Sequence, residues 1–540
     1  MRTCISPEKC FIFGIHKPSY RVRNLRSRTR IERLGRDTEG GAVENGINYP
    51  DQTVDVPQAD WIYEIANPFP FRGTTYIGKR WADRNADHLD RIRLPEQPAV
   101  SLSETLNAQQ LPAELISALP RPLLLALAAT STDGTDLTRL AEQSCSFEHD
   151  LNDEPTGLVY RIGGNHKLRP LIHDHDLFEA VANNSALPDS YKIAMVIRPG
   201  AQGDSEIVGD YHRPSEATHI YEYLRRNSYI AGGHYAANMA DDAIRYCIAD
   251  LSQNDLDGLR HLYYQRTYVR LAEMLGIGLA DHCLSADELE TLRLLIIAHP
   301  DFVSTDLAAT LWGWNFGFDF APTGYRLHAS HQQIHQQFAL IPEAIQGFFG
   351  LGEQMAEPYR PFSCGDMIAE AIEQYRAAFK SSLFHDYYQA IIGNQRMDGR
   401  SDLSPELIVW QDERVLLFVP KAQTSQWELQ IMTKPGTDQS FVGHIIEADQ
   451  ALRRSLDSAI LKAQQALAGR GAKLVTTIEY SKRFASERQD QPLIYCFMPK
   501  LPQSPGAFSE IQLRFINGHY PEDFAAVCRQ SLTLQASRPL

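Results

Sequence analysis

The chain has 540 residues, 43% apolar and 22% charged, enough apolar material for two large domains or about three ordinary ones and too much for a disordered polymer. Its 67 acidic and 52 basic residues leave a net charge of −15, which excludes a general nucleic-acid-coating surface. The longest strongly apolar stretch, Leu123–Ala129, falls far short of the roughly 20 residues needed to cross a bilayer, and no apolar core follows Met1; a cytoplasmic protein without membrane contact is expected.

The first distinct segment is basic. Lys17–Arg36 holds eight basic residues against Glu32 alone, yet lacks the apolar face of a membrane anchor. With the Gly- and Asn-rich stretch Gly40–Asn48 and Pro50 behind it, it reads as a poorly ordered leader over residues 1–50 followed by a linker. Residues 51–210 form a region of undetermined form that closes on the turn-rich Pro199–Asp210. The eight cysteines are scattered and none form CxxC, so neither a disulfide framework nor a Cys-rich zinc site is expected.

The next region spans 211–395. Ile220–Leu224 and Arg245–Ile248 read as strands, and Asn254–Leu275 as a helix with Leu256, Leu259, Tyr263 and Leu271 on one side. Ser285 and Glu288 have capping-box spacing and open a second helix through Ile297. Two strands follow, Ala308–Phe318 and Leu327–Ile341. Asn394–Pro405 carries almost no apolar residues and reads as a boundary. In 405–535 the order is clearer: a hairpin of Leu407–Trp410 and Val415–Val419, a strand over Trp427–Met432, a long helix over Asp449–Ala468, strands Leu474–Tyr480 and Leu493–Met498, and a short helix over Pro521–Arg529. The fold class is therefore α+β: two halves of similar element order, each an antiparallel sheet with a long helix, behind an N-terminal extension.

One segment concentrates polar chemistry. In Tyr325–Pro342 (YRLHASHQQIHQQFALIP) the residues His331, Gln333, His335 and Gln337 recur at spacing two, so on a strand they share one face, with Ile334 and Phe338 on the other. Such a row can set a nucleophilic imidazole beside amides that donate to phosphoryl oxygens. Three other readings stay open on spacing alone. His328, His331 and His335 could ligate a metal, they could share one side of a helix, or the strand could be polar without chemistry.

The segment resembles the active-site strand of the galactose-1-phosphate uridylyltransferase family of the histidine triad superfamily, in which a Ser and, after four residues, a His-x-His-x-Gln row carry the reaction. Ser330, His335 and Gln337 stand at matching positions, and Gln333 replaces the first His. Leu311–Phe320, with Asn315 and Gly317, is similar to the strand before that motif. Gly232–His234, Asp250–Ser252, Val415–Pro420, Trp427–Glu428 and Pro521–Arg529 are similar to further short family segments, so the resemblance covers roughly half of the chain.

The resemblance implies a nucleotidyltransferase or phosphorylase acting on a nucleoside diphosphate sugar or dinucleoside polyphosphate. His335 and Gln337 would be catalytic, with Ser330, His331, Gln333 and Asn315 binding substrate. A hydrolase of the same superfamily or a catalytically silent nucleotide-binding scaffold is the alternative. No cofactor is implied, and no structural metal is expected, because Gln333 occupies a zinc-ligand position. Specific nucleic-acid binding is not expected, and a homodimer is allowed for. Arg225 and Arg226, or Lys482 and Arg483, are candidates to neutralise a diphosphate. Ser504–Glu510 reads as a turn, or as a tight loop over a ligand through Gly506, and His519 as a packed or capping residue.

Overall fold

Strands whose two faces are both apolar must be covered on both sides, and several of the segments between residues 307 and 499 have that character. The computed structural model describes residues 3–22, 31–48, 53–56, 60–69, 72–96, 98–163, 166, 168–184, 186–195, 248, 251–279, 282, 284–317, 335–349, 355–501 and 512–536. Three N-terminal strands come first: β1 (Gly14–His16), β2 (Ile62–Ala66) and β3 (Thr74–Gly78). Helices α1 (Gln253–Met274) and α2 (Ala286–Ala298) follow, then β4 (Leu307–Gly317) and β5 (His335–Pro342). After α3 (Cys364–Phe379) and α4 (Leu383–Ile392) come β6 (Ile408–Gln411), β7 (Val415–Phe418) and β8 (Leu429–Thr433). The chain closes with α5 (Gln450–Ala468), β9 (Leu474–Tyr480), β10 (Ile494–Pro499), β11 (Arg514–Asn517) and α6 (Pro521–Ala536).

The α+β class expected from the sequence is the class observed. Ser252 with Asp255 opens α1 and Ser285 with Glu288 opens α2, each by a reciprocal capping box. Asp449 caps α5 by accepting from the Leu452 amide at 2.7 Å. The closing helix is longer than expected and runs to Ala536. Ile220–Leu224 lies outside the described residues, as does Arg245–Ile248 apart from Ile248, which is buried. Of the strand expected over Leu327–Ile341, the described part is β5.

The strands within residues 307–342 and those within residues 408–499 do not form separate sheets. They join in one seven-stranded antiparallel sheet of order β5-β4-β9-β10-β8-β7-β6. The seam is β4 against β9, with Gly313 opposite Ile478 and Asn315 opposite Thr476. One face is covered by α1, α2, α5 and α6. There Trp312, Trp314 and Phe316 of β4, Val475 of β9 and Tyr495 and Phe497 of β10 meet Leu256, Tyr263, Ile296, Leu456, Ile460 and Phe524.

The other face meets α3, α4 and the N-terminal strands, where Leu416, Phe418, Met432, Ile494 and Cys496 pack with Ile372, Tyr387, Ile65 and Ile77. The start of the chain, read from the sequence as leader, joins this core: Cys4 and Ile5 are fully buried. A four-stranded sheet of order β1-β2-β3-β11 forms the outer wall, with β3 and β11 parallel. Gly73 makes that pairing feasible. Its φ is +76°, and a Cβ there would lie 2.0 Å from the Leu513 carbonyl oxygen.

Helices within residues 102–195 bury a separate core around Leu124, Leu137, Phe178 and Val181. The apolar-poor segment 394–405 is anchored rather than loose. Arg396 pairs with Asp398 and Asp523 while Asn394 bridges Lys421 and Glu522, all of them buried except Asp398, whose side chain is also covered.

Arg260 of α1, fully buried, fixes the helical layer to the sheet. Its Nε donates to Asp457 of α5 at 2.9 Å, and its Nη2 to the Tyr264 and Tyr495 hydroxyls at 2.9 and 2.8 Å. The guanidinium also lies 4.6 Å from the Trp312 ring centroid. Removing the arginine alone strands the Asp457 carboxylate in the core. Arg260→Met is expected to cost about 3–5 kcal/mol, and adding Asp457→Leu to recover most of it. Urea unfolding of the parent, single and double variants measures both.

Candidate functional site

Backbone register decides which polar residues meet at the β4–β5 end of the sheet. The two strands pair antiparallel, with Asn315 opposite His335, Gly313 opposite Gln337 and Leu311 opposite Ala339. Between these pairs, Trp312 opposes Phe338 and Trp314 opposes Gln336. Trp312 and Phe338 pack on Tyr263 of α1, with ring centroids 5.5 and 6.2 Å away. By strand alternation, positions 313, 315, 335 and 337 then belong to the face opposite α1. Gln337 is exposed there and Asn315 half-buried.

Two features shape this strip. Gly313 is half-buried, and a Cβ there would lie 3.1 Å from the Thr477 carbonyl oxygen, so its missing side chain eases the close approach of β9. Asn315 is held from the next strand, where the Thr476 hydroxyl donates to its Oδ1 at 2.7 Å. Thr476 in turn opposes Met498 of β10, so residues 335, 315, 476 and 498 form one cross-strand row.

Of the residues singled out from the sequence, His335, Gln337 and Asn315 lie together in this strip by register. Ser330, His331 and Gln333 lie outside the described residues, as do His328, Arg225, Arg226 and Ser504–Glu510. Among the described residues no cluster of three or more His, Cys, Asp or Glu side chains could hold a metal ion.

Lys482 and Arg483 are not exposed phosphate ligands. Both are buried and internally paired. Lys482 Nζ contacts Glu447 at 2.6 Å and donates to the Arg488 carbonyl at 2.9 Å. Arg483 binds Asp366 of α3 through two nitrogens at 2.8 and 2.7 Å and reaches Glu343 at 3.0 Å. Since Glu343 directly follows β5, Arg483 fastens the end of that strand to α3. The sequence reading did not include Thr476. The only signal was its place in a strand whose partner was unknown.

No family model matches the chain, and no curated protein matches it. Among solved structures it is similar to a GALT-like protein from Arabidopsis thaliana, at 13% identity and a TM-score of 0.33 over 54% of this chain and 73% of that one. It is also similar to an ADP-glucose phosphorylase from Arabidopsis thaliana with bound ADP-glucose, at 12% identity and a TM-score of 0.33, covering 54% and 70% of the two chains. A uridylyltransferase gives 13% identity and a TM-score of 0.32 over 46% and 69%. Similarity of this degree identifies neither a substrate nor a reaction. No described helix is long and apolar enough to cross a membrane.

His519 is packed away from the strip. Its Nε2 lies 2.6 Å from the Gln426 carbonyl, and its ring sits between Trp427 and Phe524. Burial pushes its pKa down to about 4, and burial does the same to His444 despite the opposing charge of Glu447. Both imidazoles are neutral in the fold and charge on unfolding. The stability they support is complete above 6.5 and is lost as pH falls from there toward about 4. Each adds at most about 1.4 kcal/mol per pH unit to the acid sensitivity. His519→Gln, whose amide can still donate to Gln426, is expected to flatten this slope in urea unfolding series run between about pH 7.5 and 4.5.

Proposed function

We propose that the protein is a nucleotidyltransferase or phosphorylase that acts on a nucleoside diphosphate sugar or dinucleoside polyphosphate through a nucleotidyl-histidine intermediate. The observation that carries this reading is the β4–β5 register, which sets Asn315 opposite His335 and bare Gly313 opposite exposed Gln337. A histidine with two amide residues at neighbouring register positions suits nucleophilic attack on phosphorus, because a neutral imidazole and uncharged amides need no change of charge state beforehand.

In the first displacement a ring nitrogen of neutral His335 gives its lone pair to the α-phosphorus. The bond from that phosphorus to the bridging oxygen breaks, and the sugar phosphate or nucleotide leaves with the electron pair. The other ring nitrogen keeps its proton, so the intermediate is an imidazolium phosphoramidate. In the second displacement an oxygen of phosphate or a sugar phosphate attacks the same phosphorus and the P–N bond returns its electrons to the imidazole. Gln337 donates to the phosphoryl oxygens as charge builds on them, a task that an uncharged amide performs without titrating. Asn315, Ser330, Gln333 and His331 bind the phosphates or orient the strand. In this reading residues 211–395 and 405–535 are two halves that share one sheet.

The test is retention of label from α-32P nucleotides. The parent should hold acid-labile phosphorus from one member of a panel of UDP-sugars, ADP-sugars and dinucleoside polyphosphates, and His335→Ala should hold none. Gln337→Ala should raise the barrier by about 2.7–4 kcal/mol while the exposed position leaves the fold intact. His331→Ala should have the smallest effect of the three. An active His335→Ala enzyme near the parental rate would sink the covalent route. Water as sole acceptor would make the protein a hydrolase, and binding without turnover a nucleotide-binding scaffold.

A further inference from the structure

A surface helix ordinarily buries its apolar residues and turns its charges to water. The second half of α2 does the reverse. From Leu292 to Ala298 six of the seven residues are apolar, and the seventh, Arg293, is buried. Its Nη1 donates to the Ile446 carbonyl at 2.8 Å and its Nη2 pairs with Glu290 at 2.6 Å. Leu289, Leu292 and Ile296 enter the core beside it. The outward residues Leu294, Leu295 and Ile297 stay 53%, 51% and 43% exposed, and Val303, in the turn beyond the helix, 63%. Thr291, Leu294, Leu295 and Ala298 recur at i, i+3, i+4 and i+7, so they form one stripe along the helix. A single exposed leucine needs no explanation, but a helix that is apolar on both sides is the pattern of one packed on both sides.

We propose that this stripe is an interface at which a second copy of the chain packs, α2 against α2 about a two-fold axis.

The charges around the stripe select the occupant. Glu288 has His282 at 3.0 Å, Asp287 accepts from Gln450 at 3.2 Å, and Glu290 also reaches Arg453 at 2.9 Å. A rim of carboxylates repels nucleic acid and anionic lipid, and carboxylates that already have partners offer little to a basic protein. An uncharged apolar stripe fits its own duplicate, because an isologous contact needs only one self-complementary patch. Antiparallel pairing about Leu294 and Leu295 lets the ridges of each helix enter the grooves of the other. The size is adequate. The four exposed aliphatic side chains present roughly 400 Å² per copy, close to the apolar share of the roughly 800 Å² that each partner contributes to a stable dimer. Because each chain carries −15, the two copies repel at long range, and an apolar contact between them must strengthen when salt screens that repulsion.

Sedimentation equilibrium on the full-length chain tests the interface. The parent is expected to be a dimer with a micromolar Kd, and the Kd to fall severalfold as NaCl rises from about 50 to 500 mM. Leu294→Glu with Leu295→Glu sets four carboxylates at the two-fold axis and should weaken the dimer more than about 100-fold, with thermal melting unchanged because both positions are exposed. Leu294→Ser with Leu295→Ser, which adds no charge, should weaken it in the same direction. Leu294→Lys with Leu295→Lys should also be monomeric alone, and mixing it with the glutamate variant should restore a dimer containing one of each.

A parent that stays monomeric overturns the proposal, since the stripe is then covered some other way. So does a dimer that both charged variants leave at the parental Kd, which places the contact on another face. Association that weakens with salt, or a mixture of the two charged variants that remains monomeric, overturns the pairing of α2 with α2.

Discussion

A guanidinium with no exposed surface holds the helical layer to the sheet. Arg260 sits where α1, α5, β4 and β10 converge, and it is the cation around which Asp457, Tyr264, Tyr495 and Trp312 are arranged. Burying an ion this deeply is tolerable only when its partners are in place, so it demands one geometry of the four elements. The neighbouring Glu479 extends the constraint. Its carboxylate accepts from Tyr263, Thr310 and Tyr495 at 2.8, 2.9 and 2.5 Å, tying β9 to the same helix and to β4. Burial pushes its pKa up, which these hydroxyl donors and Arg260 oppose. The aromatic and ionic side of β4 is thereby immobilised, and alternation transmits that order to Gly313 and Asn315 on the reverse.

Local periodicity made the elements legible. Spacing of Leu452, Leu456, Ile460, Ala463 and Leu467 marked α5, and the Ser285–Glu288 pair marked the start of α2, because both signals act within a few residues. What the chain does across long separations was not visible in it. Nothing local distinguishes a β4 that ends its own small sheet from a β4 that pairs with β9. Nor does a polar, Gly-containing run such as 394–405 disclose that Arg396 will find Asp523. Lys482 and Arg483 show the same limit: two adjacent cations look like a solvated pair until Glu447, Asp366 and Glu343 are brought beside them.

The candidate site divides along the same line. Placing Gln337 on one face and Phe338 on the other needed only the period of a strand, and the exposed amide and the packed ring follow it. Thr476 could not be found that way. Threonine in an apolar strand reads as ordinary β-branched filler, and its meaning depends on which residue lies opposite across a seam that joins distant parts of the chain.

That seam bears on how the molecule can be made. Thr476 and Asn315 are separated by 161 residues, so β4 waits for much of the chain before its second neighbour exists. The pairing of Thr74 with Leu513 spans nearly the entire length. Each doubling of a loop adds only about 0.6 kcal/mol of closure entropy, so the delay is a matter of rate rather than of final stability. During synthesis the edge of β4 that pairs with β9 stays unpaired until β9 emerges, a state open to wrong edge pairing. A nascent or truncated chain ending in α5 therefore carries β4 with a raw edge, and chaperone demand should fall on this interval rather than on the helices that precede it.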